Sequence, residues 1–216
     1  KTRNRMSAQL VAAEVRIALA GKYTELKDAY KSVHEALLHG GIAQHAHVKI
    51  TYVDTQMSNL DKVLEHNHGV LVPGGFGDRG IDGKLRAIQI AREHKIPFLG
   101  LCLGLQLAVI EFARNVLKLT QANSTEFDPK TRHPVIDLLP EQKVIKDKGA
   151  TMRLGSYPCA IKKGSLAHQA YKTTTTQERH RHRYEVNAKF SKQLEESGLM
   201  ITGIYNPKNL AEIVEL

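Results

Sequence analysis

A cysteine between two glycines is the residue of this chain best suited to nucleophilic chemistry. Cys102 lies between Gly100 and Gly104, where the apolar run 96–101 gives way to a helix-like pattern. G-x-C-x-G is the cysteine version of the nucleophile elbow, a sharp strand-to-helix turn that needs small flanking residues. At a helix N-terminus the dipole and the first N–H groups lower a thiol's pKa, so we expect Cys102 to be reactive near neutral pH. A buried structural cysteine is the alternative that this pattern alone leaves open.

A glycine-rich segment could supply the second half of such a site. LVPGGFGDRG at 71–80 follows an apolar run. Attack on a carbonyl creates an oxyanion, which backbone N–H donors stabilise. Such donors could come from Leu103, the residue after the cysteine, and from Gly74 and Gly75. A plain tight turn or a phosphate-binding nest are alternatives. The segment lacks G-x-x-x-x-G-K-[ST], which argues against a P-loop.

The basic run RHRHR at 179–183 raises the question of metal or nucleic-acid binding. His180 and His182 are two apart in a predicted strand, so both should face one side. No further His/Cys cluster completes a zinc ligand set, and we predict no metal site. An arginine that pairs with a carboxylate is the favoured interpretation. Cys159 follows a proline in another predicted strand and is taken as structural.

Strands and helices alternate in the first half of the chain. Strands are predicted at 14–21, 47–55, 69–75 and 96–101, and helices at 26–39, 59–67, 84–95 and after Cys102, with Gly40-Gly41 ending the first helix. This alternation predicts an α/β fold, with a central, mostly parallel sheet flanked by helices on both faces. Because ligands bind at the carboxyl ends of such strands, the cysteine and the PGG turn should meet there.

The second half has a different pattern. Strands are predicted at 150–162, 181–186, 199–205 and 210–216, and short helices at 165–171 and 188–197. We expect this half to continue the sheet and to add a mostly antiparallel part.

Composition places the chain among ordinary globular proteins. Its 216 residues are 42% hydrophobic and 25% charged, which suits one α/β domain. The apolar runs are too short to cross a bilayer, and two cysteines do not make a disulfide framework. We expect a reduced, cytoplasmic protein without membrane contact. The opening residues 1–13 have the character of a linker.

The formal charge of +9 permits a nucleic-acid-binding module as an alternative function. The excess is scattered, however, and no aromatic-flanked basic motif accompanies it. An anionic nucleotide or a partner domain explains the charge at least as well, so we predict no nucleic-acid partner.

Six motifs together identify a family. They are GKY at 21–23, LVPGGFGDRG at 71–80, IPFLGLCLGLQLAVIEFARN at 96–115, STEFDP at 124–129, TMRLG at 151–155 and ERHRHRYEVN at 178–187. Over residues 14–216 the chain resembles the class I glutamine amidotransferases, which have a flavodoxin-like fold, and within them the glutaminase domains of CTP synthases. The residue roles implied by the resemblance are Cys102 as nucleophile, Gly75 and Leu103 as oxyanion donors, Gly104, Leu105 and Gln106 as pocket lining, Glu126 for the substrate ammonium and Arg183 for its carboxylate, with Arg179 and Arg181 as weaker candidates.

The resemblance also implies partners. L-glutamine would yield glutamate and ammonia, and the domain itself would need no cofactor. The ammonia would pass to a synthetase domain expected before residue 1, where UTP, ATP and Mg²⁺ give CTP and GTP acts as allosteric activator. The full-length enzyme would be a homo-oligomer, and Arg79 could belong to the surface that couples the domains.

Two departures from the family pattern stand out. Leu105 replaces the usual Met, a swap of similar volume. The family's general base and its orienting acid belong to a His-Pro-Glu segment, which we expect beyond Leu216; His180 and His182 belong to a different motif and do not replace it. Another cysteine hydrolase of flavodoxin-like fold is the alternative enzyme, but such proteins lack the STEF and RHRHRYEVN motifs.

Overall fold

The structure, a computed structural model, describes residues 13–21, 27–75, 80–143 and 152–216. Nearly all of the predicted linker lies outside the described residues, as do Lys22 and Tyr23 of the GKY motif. Arg79, the predicted coupling residue, also lies outside them.

A parallel sheet forms the centre of the first half. In the described residues its strands are β1 (Ala13–Gly21), β2 (Ala46–Asp54), β3 (Gly69–Val72) and β4 (Phe98–Gly100), in the order β2-β1-β3-β4. All their pairings are parallel, as the alternation of strands and helices predicts. Every residue of β3 is buried, because helices cover both faces of the sheet.

The helices divide between the two faces according to the strands' period of two. They are α1 (Lys31–Ala43), α2 (Leu60–Glu65), α3 (Ile81–Glu93) and α4 (Leu103–Asn115). Leu19 and Leu71 point toward α1, where Tyr30 joins their cluster. Their neighbours Val70 and Val72 point to the opposite face and join the larger core with α2, α3 and α4.

The prediction that Gly40-Gly41 ends the first helix is wrong. Helix α1 continues through both glycines to Ala43. A Cβ on Gly41 would lie 2.6 Å from Val48 Cγ2 and 2.8 Å from the Ala46 carbonyl oxygen. Gly41 therefore allows the last turn of α1 to approach β2 closely, and its backbone stays helical.

The second half forms two sheets of its own in the described residues, so the predicted continuation of the parallel sheet is not found there. The larger, antiparallel sheet comprises β7 (Arg153–Ile161), β8 (Thr175–His182), β10 (Met200–Tyr205) and β11 (Leu210–Glu215), in the order β11-β10-β7-β8. The smaller comprises β5 (Ala122–Ser124), β6 (His133–Leu138) and β9 (Tyr184–Val186). Short helices α5 (Pro140–Lys143), α6 (Leu166–Tyr171) and α7 (Ser191–Glu196) complete this half.

Helix α4 joins the two halves of the core. Its buried residues Leu107 and Ile110 belong to the same cluster as Val72 of the parallel sheet and Ile136 of the small sheet. Helix α4 is therefore packed from both sides, which fixes its N-terminus. None of the described helices combines the length and apolarity needed to cross a membrane.

Candidate functional site

Cys102 occupies the predicted strand-to-helix turn between β4 and α4. Its backbone has φ +53° and ψ −104°, a conformation that L-residues rarely adopt. A Cβ on Gly100 would lie 2.5 Å from the Gly104 carbonyl carbon, and one on Gly104 would overlap the Val72 carbonyl oxygen. Both glycines are thus steric requirements of the turn, and Gly104 packs against β3. Cys102 itself is exposed to solvent.

The PGG turn lies beside this cysteine, as the predicted meeting of strand ends requires. A Cβ on Gly74 would lie 3.4 Å from Cys102 Cβ and 3.9 Å from its sulfur. The corresponding position on Gly75 would lie 3.6 Å from Leu103 Cδ2. The backbone after β3 and the start of α4 therefore flank the thiol together.

A buried lysine that belongs to none of the predicted site residues lies beneath this turn. Lys84 is 1% exposed, and its Nζ would lie 3.6 Å from a Cβ on Gly75. Its spacing from Ile81 and Ile88 is three and four residues, so it occupies the apolar face of α3. A lysine on that otherwise apolar face was the signal that α3 carries a buried charge.

Although the Cys102 residue keeps solvent contact, the atoms packed around it desolvate the thiol, and this burial raises its pKa, contrary to the predicted lowering. The Leu103 N–H bonds the sulfur and lowers the pKa, as a helix N-terminus should. The desolvation outweighs it, and the negative charges of Glu126 and Glu185 raise the pKa further. The cysteine therefore needs a proton acceptor before it becomes a nucleophile at neutral pH.

Glu126 lies within electrostatic reach of both the Cys102 thiol and Arg183. Glu126 follows β5, and Arg183 stands in the turn between β8 and β9. Burial raises the pKa of Glu126 while the charge of Arg183 lowers it. The Nε of Arg183 is buried and has no hydrogen-bond partner among the described residues. A carboxylate can pair with the ammonium group of an amino acid, and a guanidinium can pair with its carboxylate.

Gln106 ties the cysteine's helix to that turn. Its Nε2 donates a 2.9 Å hydrogen bond to the carbonyl oxygen of Tyr184. Cys102, Leu105, Gln106 and Tyr184 all line a cleft of about 1160 Å³ that extends along α4 toward β11. Leu105 and Gln106 therefore line the same cleft as Cys102.

The weaker candidates Arg179 and Arg181 lie on the exposed side of β8, while His180 and His182 lie on its other side. The structure thus separates Arg183 from the two arginines before it. Cys159 is buried at 1% exposure, as expected for a structural cysteine. In the described part of the chain, no cluster of three or more His, Cys, Asp or Glu residues could hold a metal ion.

A family model described as "Glutamine amidotransferase class-I" matches residues 25–216. The CTP synthase of Caldanaerobacter subterraneus subsp. tengcongensis is 57% identical over 206 residues, which are 94% of this chain and 38% of that protein. The CTP synthase of Clostridium acetobutylicum is 54% identical over 209 residues, which are 95% and 39% of the two chains. This chain therefore spans less than half the length of these relatives.

A solved structure agrees with these relatives. The glutaminase domain of Trypanosoma brucei CTPS with bound acivicin has a TM-score of 0.83 and 40% identity to this chain. The match covers 92% of this chain and 78% of that one. The similarity extends over both halves of the fold described above.

Proposed function

This chain belongs to the class I glutamine amidotransferase family, and on that premise we propose that it hydrolyses L-glutamine at Cys102 to release ammonia for CTP synthesis. The observation that carries the proposal is the position of Cys102, in a strained strand-to-helix turn against the PGG loop and within electrostatic reach of Glu126. A cysteine held in this way is typical of nucleophilic catalysis.

Substrate recognition falls to the two charged side chains. Glu126 binds the α-ammonium of glutamine, and Arg183 binds its α-carboxylate with the nitrogen that is buried and unpaired among the described residues. The Trypanosoma brucei relative holds acivicin, a glutamine analogue, in the corresponding domain. We infer that glutamine binds beside Cys102, where Glu126 is within electrostatic reach of the thiol.

The chemistry then follows in two steps. The Cys102 sulfur attacks the side-chain amide carbon, and the backbone N–H groups of Leu103 and Gly75 stabilise the oxyanion. The C–N bond breaks, ammonia leaves with a proton, and a thioester remains. Water hydrolyses the thioester to glutamate and restores the thiol. Because burial raises the pKa of the thiol, a base must take its proton before the sulfur attacks.

The use of the ammonia rests on the relatives. We propose that a synthetase domain of the same polypeptide consumes the ammonia. Its substrates would be UTP and ATP, its metal ion Mg²⁺ and its activator GTP. The full-length protein would be a homo-oligomer. The amidotransferase domain needs no cofactor in this scheme.

Covalent labelling tests the proposal directly. The full-length protein is treated with a diazo-ketone analogue of glutamine, and the modified residue is located by mass spectrometry. We expect modification of Cys102, its absence in Cys102→Ala, and its persistence in the matched control Cys159→Ala. Labelling at another residue, or glyoxal or peptide turnover without glutaminase activity, would contradict it and favour another cysteine hydrolase.

A further inference from the structure

A buried cluster of charged side chains lies behind the Arg183 turn and has no part in the chemistry proposed above. Arg153 Nη1 donates a 3.1 Å hydrogen bond to Glu185 Oε1, and its Nη2 lies 2.9 Å from Glu212 Oε1. Their side chains are 7%, 4% and 2% exposed. The Arg153 guanidinium carbon also lies 4.5 Å and 5.0 Å from the ring centres of Tyr157 and Tyr205. Charges buried so deeply require partners, and these groups supply them to each other.

The antiparallel sheet brings the members of this cluster together. Arg153 on β7 pairs in register with His182 on β8. Between β10 and β11 the register moves from Gly203 opposite Ile213 to Ile204 opposite Ala211, which leaves Glu212 as the extra residue of a bulge. A bulge changes the direction in which a side chain points, and the bulged residue Glu212 contacts both Arg153 and His180.

Two histidines connect this cluster to the glutamine site. His180 Nε2 lies 2.8 Å from Glu212 Oε2, and His180 Nδ1 lies 2.8 Å from His182 Nε2. His182 Nδ1 then lies 3.1 Å from the carbonyl oxygen of Tyr184. This is the carbonyl oxygen that accepts the hydrogen bond of Gln106.

The peptide carbonyl fixes the direction of these contacts. A carbonyl oxygen accepts only, so His182 Nδ1 must carry a proton. In neutral His182 the other ring nitrogen, Nε2, then accepts, and His180 Nδ1 is the donor of the central contact.

Burial and the surrounding charges keep His182 neutral. Burial, the neighbouring His180 and the charge of Arg153 lower the pKa of His182 to about 4. Burial alone would raise the pKa of Glu212, but its contact with His180 and the charge of Arg153 outweigh burial and lower it. Neutral His182 therefore donates from Nδ1 to the Tyr184 carbonyl.

We propose that His182 is a positioning residue of the glutamine site: its Nδ1–H holds the Tyr184 carbonyl and thereby fixes the backbone that directly follows Arg183, the residue assigned to the substrate carboxylate. This inference rests on the proposed glutamine hydrolysis. The buried ion cluster keeps His182 in the tautomer that can donate, because His180 occupies its other nitrogen. Gln106 and His182 together anchor one carbonyl between α4 and β8.

A pair of substitutions separates positioning from packing. In His182→Asn the side-chain amide nitrogen replaces Nδ1 and keeps the donor to Tyr184. In His182→Gln the amide lies at the Nε2 position, so the contact with His180 survives and the donor to Tyr184 is lost. The matched control is His47→Gln, an exposed histidine on β2. Glutaminase kinetics and ammonia-dependent CTP formation are measured in the full-length protein.

We expect His182→Gln to raise the KM for glutamine about tenfold with kcat changed less than about threefold, because an anchoring hydrogen bond is lost from the ground and transition states alike. His182→Asn should stay within about threefold of wild type in KM. Equal KM values in the Asn and Gln variants, with wild-type glutaminase intact, would overturn the positioning role alone. An inactive wild-type glutaminase with intact ammonia-dependent synthesis would overturn the proposed function, and the positioning role with it.

Discussion

Gln106 Nε2 and the Tyr184 carbonyl oxygen are 2.9 Å apart, and this hydrogen bond joins the helix that follows Cys102 to the turn that carries Arg183. Gln106 is 7% exposed. The bond spans two sheets, since α4 follows the parallel sheet and Tyr184 begins a strand of the smaller one. This buried amide is therefore one of the two anchors, with His182, that hold the Tyr184 carbonyl next to Arg183.

Replacing that amide should loosen the site. We expect Gln106→Leu, which has a similar volume, to lower kcat/KM for glutamine about tenfold and the free energy of unfolding by about 1 kcal/mol, because a buried hydrogen bond is lost. Steady-state kinetics and urea unfolding measure the two effects. Gln193→Leu on the exposed side of α7 is the control and should leave both unchanged. Equal kinetics in both variants would contradict this role of Gln106.

Two glycine substitutions should have opposite effects on stability. Gly104→Ala would drive a Cβ into the Val72 carbonyl oxygen, so we expect a loss of about 3 kcal/mol or more, or failure to fold. Gly40→Ala meets nothing within 4 Å inside α1 and should stabilise the protein by about 0.5–1 kcal/mol. Thermal unfolding of the two variants compares them directly. A similar melting temperature for both would show that the turn tolerates a side chain.

The alkylation rate of Cys102 should depend on the charge of Glu126. The carboxylate of Glu126 helps to raise the pKa of the Cys102 thiol, so Glu126→Gln should lower that pKa. The pH profile of iodoacetamide labelling should then move toward lower pH. Glu141→Gln, an exposed glutamate, is the control and should not move the profile. An unchanged profile in Glu126→Gln would place Glu126 too far from the sulfur to affect it.

The buried cluster should produce opposing pH effects on stability. Burial raises the pKa of Glu185 to about 7 from its ordinary 4.5, so its contribution to stability is present below pH 4.5 and is lost as pH rises through 7. His182 has its pKa lowered to about 4 from 6.5, so its contribution is present above pH 6.5 and is lost as pH falls to 4. In the wild-type protein, the pH dependences of stability that come from Glu185 and His182 have opposite signs between pH 4.5 and 6.5.

Removing one group should expose the slope of the other. We expect the free energy of unfolding of Glu185→Gln to rise more steeply with pH between 4.5 and 6.5 than that of wild type. The free energy of unfolding of His182→Asn should fall with pH over the same interval, relative to wild type. Urea unfolding at a series of pH values gives both slopes. Parallel curves for the three proteins would mean that neither group titrates in the native state as described.

The sequence determined the local structure of the first half of the chain, which contains Cys102. Apolar residues with a period of two or near 3.6 indicated β1 to β4 and α1 to α4, because that periodicity decides which side chains a strand or helix can bury. The glycines around Cys102 indicated the strand-to-helix turn, because the turn has no room for a Cβ at either position. A Cβ on Gly100 would overlap Gly104, and a Cβ on Gly104 would overlap Val72. The alternation of elements then placed Cys102 and the PGG turn at one edge of the sheet.

Some elements escaped the sequence because their signals are short or depend on packing. Strand β5 has three residues, Ala122–Ser124, too few for a period to show. Gly41 looked like a helix end, but Val48 and Ala46 on β2 decide its role. Lys84 broke the apolar pattern of α3 without revealing the glycine turn above it.

Tertiary structure alone decided the electrostatics of the site. The helix N-terminus predicted a lowered pKa for Cys102, yet burial and the carboxylates of Glu126 and Glu185 reverse its direction. Arg153 and Glu212 likewise meet across the antiparallel sheet from strands distant in sequence. Periodicity and steric limits act between near neighbours and can be read from the chain, whereas desolvation and Coulomb forces depend on every group that folding brings close.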